Sequence, residues 1–141
     1  MYRWTVAQVL RYVYGKAIAG DDSVMMKATA ADVTFRFPGS SSFAASLTGR
    51  EPLRAWLARF TAFSPRFEVR DVAVSGPPWN MTVALRFHDA IGADYENDGV
   101  EWLRIRWGRV RSVEVFLDTE RVSSWESRHA GLGGAAAVAG R

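Results

Sequence analysis

The sequence predicts an α+β fold on two observations. Segments with the apolar spacing of amphipathic helices all precede Ser64-Pro65, and the stretches after it alternate in the two-residue period of strands. Helices first and an antiparallel meander second make two packed layers around one core.

Taken in order, the apolar positions 6, 9, 10, 13 and 17 fall on one face of a helix running from Val6 to Ile18, and Gly20-Asp21 breaks it. DDSVMMKATA supports a second, shorter helix with Asp21, Asp22 or Ser23 as its cap. DVTFRF alternates with Val33, Phe35 and Phe37 on one side, PGSSS ends it, and FAASLTG reads as a short partner strand. In GREPLRAWLARFTAF, Leu53, Trp56, Leu57 and Phe60 return to helical spacing, with Pro52 tolerated in the first turn, where the amides lack helical partners. Four strands follow: FEVRDVAVS, WNMTVALRFHD, YENDGVEWLRIR and RVRSVEVFLD. Periodicity is lost from Arg121, and AGLGGAAAVAGR is of low complexity. One domain over residues 1–125 and a disordered tail over 126–141 are therefore expected.

The bulk numbers narrow the function classes. At 141 residues, 48% hydrophobic and 23% charged, the chain makes a single globular domain with a sizeable core. The absence of cysteine excludes disulfides, thiolate metal sites and thiol catalysis. With two histidines, one of them in the expected tail, no transition-metal site is predicted, and no motif implies a cofactor. The net charge of +3 comes from arginines interleaved with acids, as in REPLRAWLARF, so no nucleic-acid partner is expected. No apolar run approaches the ~20 residues of a membrane span, and the first residues lack the apolar core of a signal peptide. A cytoplasmic protein with no membrane partner is the expectation.

The hairpin YENDGVEWLRIRWGRV raises the sharpest question, because it holds Glu101 mid-strand. A two-residue turn would force Trp107 to positive φ, whereas a three-residue turn needs only Gly108 there. The latter pairs Ile105 with Arg109, Leu103 with Arg111, Glu101 with Val113, Gly99 with Val115 and Asn97 with Leu117. One face then carries Leu103, Ile105, Val113, Val115 and Leu117 with Asn97 and Glu101 among them, and reads as the buried one. The other carries Trp102, Phe116, Glu114 and Asp118. Glu101 is thus an acid in an apolar wall, either free to move a proton or paired diagonally with Arg111. Tyr14 sits at the edge of the first helix's apolar face, as a core residue or a hydroxyl donor, and Asn97 is a donor or a strand-start residue. His88 alternates against Val83, Leu85 and Phe87, so it is expected to face outward.

The stretches AGDDSVMMKATAADVTFRFPG, TGREPLRAWLARF and YENDGVEWLRIRWGRVRSVEVFLDTERV resemble segments of SnoaL-like polyketide cyclases and ketosteroid isomerases, of nuclear-transport-factor-2-like fold. The resemblance covers residues 5 to 125. It implies a cone: a curved antiparallel sheet wrapped around three N-terminal helices, enclosing an apolar cavity, with a homodimer as the frequent assembly. It further implies proton-transfer chemistry of isomerase, cyclase or dehydratase type. Glu101, at about the position of the isomerases' strand acid, and Tyr14, near their helix-1 tyrosine, would be the catalytic donors, with Asn97 beside them. The isomerase base precedes the proline of a segment like FPG, where this chain has Phe37. The cyclases' last-strand aspartate finds only Val113, Val115 and Leu117 at inward positions. The substrate is expected to be a small apolar or polycyclic molecule held by Phe35, Phe37, Trp56, Phe60, Leu103, Arg111, Val113, Val115 and Leu117. An epoxide hydrolase, with Glu101, Asn97 and Arg111 substituting in part for its Asp/Arg/Asp array, and a non-catalytic ligand-binding or dimerisation module are the alternatives.

Overall fold

The computed structural model describes residues 1–129. Among them the elements run α1 (Tyr2–Ile18), α2 (Ser23–Lys27), β1 (Thr29–Phe37), β2 (Ala45–Thr48), α3 (Arg50–Thr61), β3 (Arg66–Ser75), β4 (Asn80–Ile91), β5 (Tyr95–Arg106), β6 (Arg109–Leu117) and α4 (Thr119–Arg128). The strands form one six-stranded sheet in the order β2-β1-β6-β5-β4-β3, antiparallel except where β1 runs beside β6. The architecture is the α+β one expected, a curved, unclosed sheet with helices in its concavity. α1 packs on β3, and α3 packs on β1 and β2. Val33, Val83, Leu85 and Leu103 are essentially without exposed surface. They anchor a core in which the inward residues of β1, β4, β5 and β6 meet Leu10 and Leu53 of the helices.

Alternation decides which side chains enter that core. On β4 the burial pattern holds Met81, Val83, Leu85, Phe87 and Asp89 inward. On the outer face His88 is half-buried, its Nδ1 2.9 Å from an Asp98 oxygen and its Nε2 3.6 Å from Glu96. Gly99 permits a close approach that any other residue would obstruct: a Cβ there would lie 2.6 Å from both the Phe116 carbonyl oxygen and Phe87 Cζ.

The hairpin turn corrects the expected register. Arg106 pairs with Arg109, so the connection has two residues, and Trp107 does adopt positive φ (50°), with Gly108 at 74°. For a bulky side chain this costs about 1–2 kcal/mol. Partners offset it: the Trp107 amide donates to the Trp79 carbonyl at 3.1 Å, and the two indoles stack. The register then shifts between Arg104 and Ile105, so that Arg111 is the extra residue and Leu103 faces Val113, Glu101 faces Val115 and Gly99 faces Leu117. Beyond the bulge the partners differ from the expected ones by two positions, an even number, so the inward residues there are unchanged, whereas Ile105 moves by one position and brings Val110, expected on the outer face, into the cavity wall.

The C-terminal helix is a second correction. The Asp118 carboxylate caps α4 by accepting from the amides of Glu120 (3.0 Å) and Arg121 (3.3 Å), so it is not a residue of the outer sheet face. Val122 and Trp125 are buried against Phe43 and Tyr95 in a satellite core, and Glu126 accepts from the Ser42 amide and hydroxyl. Ordered helix therefore continues past the boundary at 126; the remainder of the expected tail, residues 130–141, lies outside the described residues.

Candidate active site

The concavity of the sheet holds a cavity of about 270 Å³ between α1, α3 and the inward residues of β1, β4, β5 and β6. Its wall is mostly aliphatic and aromatic. Trp56 organises one side: its ring centroid lies 4.6 Å from that of Phe35, 5.3 Å from Phe37 and 5.7 Å from Phe60, and its indole N–H donates to the Phe43 carbonyl at 2.8 Å. Helical spacing on α3 brings Trp56 and Phe60 to one face, and strand alternation brings Phe35 and Phe37 opposite them. Leu103, Val113, Val115 and Leu117 complete the wall, as their parity required.

Into this apolar wall project one phenol and two carboxyls. Glu101, on β5, retains only partial accessibility, its carboxyl buried and its Oε2 without a protein hydrogen-bond partner. Burial lifts its pKa from 4.5 to about 7, the nearby hydroxyl of Tyr14 acting in the opposite direction and the Asp89 charge adding to the rise. Tyr14 itself, on α1, is held well above its ordinary value of 10, first by burial and then by the adjoining Glu101 charge, so its phenol stays protonated and can donate.

The second carboxyl is one that sequence reasoning passed over. Asp89 is 5% exposed and lines the cavity, and its Oδ1 has no protein hydrogen-bond partner. Burial raises its pKa from 3.8 to about 7, against the lowering effects of His88, of its own amide and of the Tyr95 hydroxyl. The signal was present in β4, where Asp89 shares the parity of Val83, Leu85 and Phe87. Glu101 pairs with Leu85, four residues along β4 from Asp89, or roughly 13 Å of strand. The two acids therefore address different points of the cavity, and the Asp89 charge adds to the rise at Glu101.

Two expected site residues are placed elsewhere. Asn97 faces inward, opposite Asp89, but it is 2% exposed and outside the cavity lining. Its Nδ2 donates to Tyr95 Oη (3.2 Å) and to the Asp118 carbonyl (2.9 Å), and its Oδ1 accepts from the Asp118 amide (3.3 Å). Its hydrogen-bonding capacity is thus spent on tying β5 to the start of α4. Arg111, the bulge residue, is exposed and pairs with Asp32 at 3.1 Å, so it neither neutralises Glu101 nor touches the cavity. Among the described residues no cluster of His, Asp or Glu has metal-binding geometry, and no helix is long and apolar enough to cross a membrane.

Comparison with known proteins follows the same lines. The family model described as a SnoaL-like domain matches residues 9–113. No curated protein matches the sequence. Among solved structures, the chain resembles a nuclear-transport-factor-2-like protein of Burkholderia xenovorans at 17% identity and a TM-score of 0.64, over 84% of this chain and 92% of that one. It resembles a steroid delta-isomerase of Pseudomonas aeruginosa at 18% identity and 0.62, over 89% and 90%. A candidate polyketide cyclase of Xanthomonas campestris aligns at 17% identity and 0.62, over 89% and 96%. At these identities the likeness extends to the fold alone.

Proposed function

The chain belongs to the SnoaL-like family of the nuclear-transport-factor-2-like superfamily, and from that premise we propose that it is an enzyme moving protons on a small, uncharged, apolar carbonyl compound. The observation that carries the reading is a pair of buried carboxyls, Asp89 and Glu101, both held near pH 7 in an apolar cavity beside the Tyr14 phenol. With both carboxyls held near 7 by burial, each is divided between its protonated and ionised forms near neutrality, and the Asp89 charge disfavours ionisation of Glu101. One acid is then available as a base and the other as a donor.

The carbonyl oxygen of the substrate sits against Tyr14 and protonated Glu101. The Asp89 carboxylate, farther along the cavity, removes a proton from the far end of a system conjugated with that carbonyl. The C–H electron pair becomes a double bond of the conjugated enolate, and the charge arriving on oxygen is held by the two O–H donors. Return of the proton from Asp89 to another carbon of a conjugated system completes an isomerisation. Attack of the enolate carbon on a second carbonyl closes a ring, and loss of a β-hydroxyl gives a dehydration. The base thus stands on β4 and not before Pro38, where Phe37 is part of the wall.

Epoxide opening is the weaker reading, since Arg111, the cation it would draw on, is exposed and paired with Asp32. The expected homodimer is supported by Trp102 and Phe116, 44% and 53% exposed on the outer sheet face; sedimentation velocity tests it, with a monomer counting against it. For the chemistry, apolar ketones and enones that raise the melting temperature are incubated with the protein in D₂O and followed by NMR. Wild type is expected to exchange the protons at the far end of the conjugated system, and Asp89→Asn to slow exchange by about 10²–10⁴-fold. Ligands that bind without exchange would assign the protein to the non-catalytic binders.

A further inference from the structure

Three segments meet at one end of the cone: the first turn of α1, the β3–β4 connection and the β5–β6 turn. The Tyr2 hydroxyl donates to the Gly76 carbonyl, and the Trp107 amide donates to the Trp79 carbonyl at 3.1 Å. The Trp79 and Trp107 indoles stack with centroids 6.5 Å apart, yet they remain 53% and 78% exposed, and Trp4 in the first turn of α1 is 69% exposed. Residues 1–5, 76–80 and 106–109 include Arg3, Arg106 and Arg109 and no Asp or Glu. Among the described residues none of these three arginines is in an ion pair. The cavity opens at this end: Thr5, Val9 and Gly108 are the exposed members of its lining.

We propose that this end of the cone docks on the surface of a bilayer containing anionic lipid, with the cavity mouth turned toward the membrane. Indoles favour the headgroup level, where an apolar ring and a wet N–H are both accommodated, and unpaired arginines are drawn to negative headgroups. The two features coincide here on turns, the parts of the fold that can enter an interface without disturbing the sheet. The strained tip supports the same reading. A two-residue turn with Asn or Gly in place of Trp107 would form without strain, and the residue here is instead a tryptophan aimed at solvent. The association is peripheral, since no described helix is suited to span a membrane. This inference is independent of the chemistry in the cavity, though a mouth at the membrane would admit apolar substrates directly from the lipid phase.

The test is co-sedimentation of the full chain with phosphatidylcholine vesicles and with mixed phosphatidylcholine–phosphatidylglycerol vesicles. Binding is expected to the mixed vesicles at low ionic strength and to weaken at high salt. Trp79→Ala with Trp107→Asn should reduce partitioning by about tenfold or more, and Arg106→Gln with Arg109→Gln by roughly fivefold per arginine. Because Asn tolerates positive φ, Trp107→Asn should melt no lower than wild type, which separates lost binding from lost folding. Failure to pellet with mixed vesicles, or wild-type binding by both double variants, would overturn the proposal. So would patch variants that dissociate an oligomer in sedimentation velocity without altering lipid binding, since the surface would then seat a second copy of the chain.

Discussion

Replacing Glu101 by Gln should make the protein less active and, above neutrality, more stable, with a stability difference that changes sign as the pH is lowered. The carboxyl's rise from 4.5 in ordinary surroundings to about 7 in the fold corresponds to about 3 kcal/mol of stability. For an acid whose pKa is raised by folding, the native state holds its proton more tightly than the unfolded chain does. That contribution is complete below the unfolded pKa, is lost as pH rises toward 7, and has vanished above about pH 8. Between pH 5 and pH 8 wild type should therefore lose about 2–3 kcal/mol relative to Glu101→Gln, whose amide does not titrate. The amide carries its own desolvation cost of about 1–2 kcal/mol, so the variant should be slightly less stable than wild type at pH 5 and about 1–2 kcal/mol more stable at pH 8. Urea denaturation at fixed pH values measures the difference directly. A stability difference that does not change between pH 5 and pH 8 would refute the claim that Glu101 is buried against its own ionisation.

Other positions give further tests. Asp89→Asn should show the same pH signature for a rise from 3.8 to about 7, with about 2–3 kcal/mol falling between pH 5 and pH 8, and denaturation at the two pH values checks it. Tyr14→Phe should slow proton exchange by about 10²–10³-fold, leave the affinity for apolar ligands nearly unchanged, and move the Glu101 midpoint higher, because the hydroxyl that holds it down is gone; the pH profile of exchange reads both effects. Asn97→Ala should cost about 2–3 kcal/mol of stability, since it strands the Asp118 carbonyl and amide, while thermal-shift binding assays show an intact cavity. Gly99→Ala should cost about 1–3 kcal/mol through overpacking against the Phe116 carbonyl and the Phe87 ring, measured by the urea midpoint.

Strand alternation made much of this architecture legible, because a period of two commits every side chain once a few apolar positions are known. Glu101 could be placed inward even though its partner is Val115 and not Val113, since an error of two positions preserves the face. The turn itself was misjudged because the local cost of Trp107 at positive φ is visible in the sequence, whereas its compensation by Trp79, distant in the chain, is not. Arg111 was misplaced for the same reason: a bulge leaves no mark in a run such as RVRSVEV. Asn97 faces inward as expected, yet its partner, the backbone of Asp118, belongs to α4, whose two buried residues, Val122 and Trp125, were too few to register as a period. Asp89 was within reach of the alternation that placed Glu101, since it shares the parity of Val83, Leu85 and Phe87.

The account rests on two acids held near neutrality inside the cavity, and a ¹³C titration of the side-chain carboxyls tests this most directly. In wild type Glu101 and Asp89 should each titrate near pH 7, and in Asp89→Asn the Glu101 midpoint should fall as the neighbouring charge is removed. Carboxyl midpoints near pH 4 in wild type, indifferent to that substitution, would contradict it.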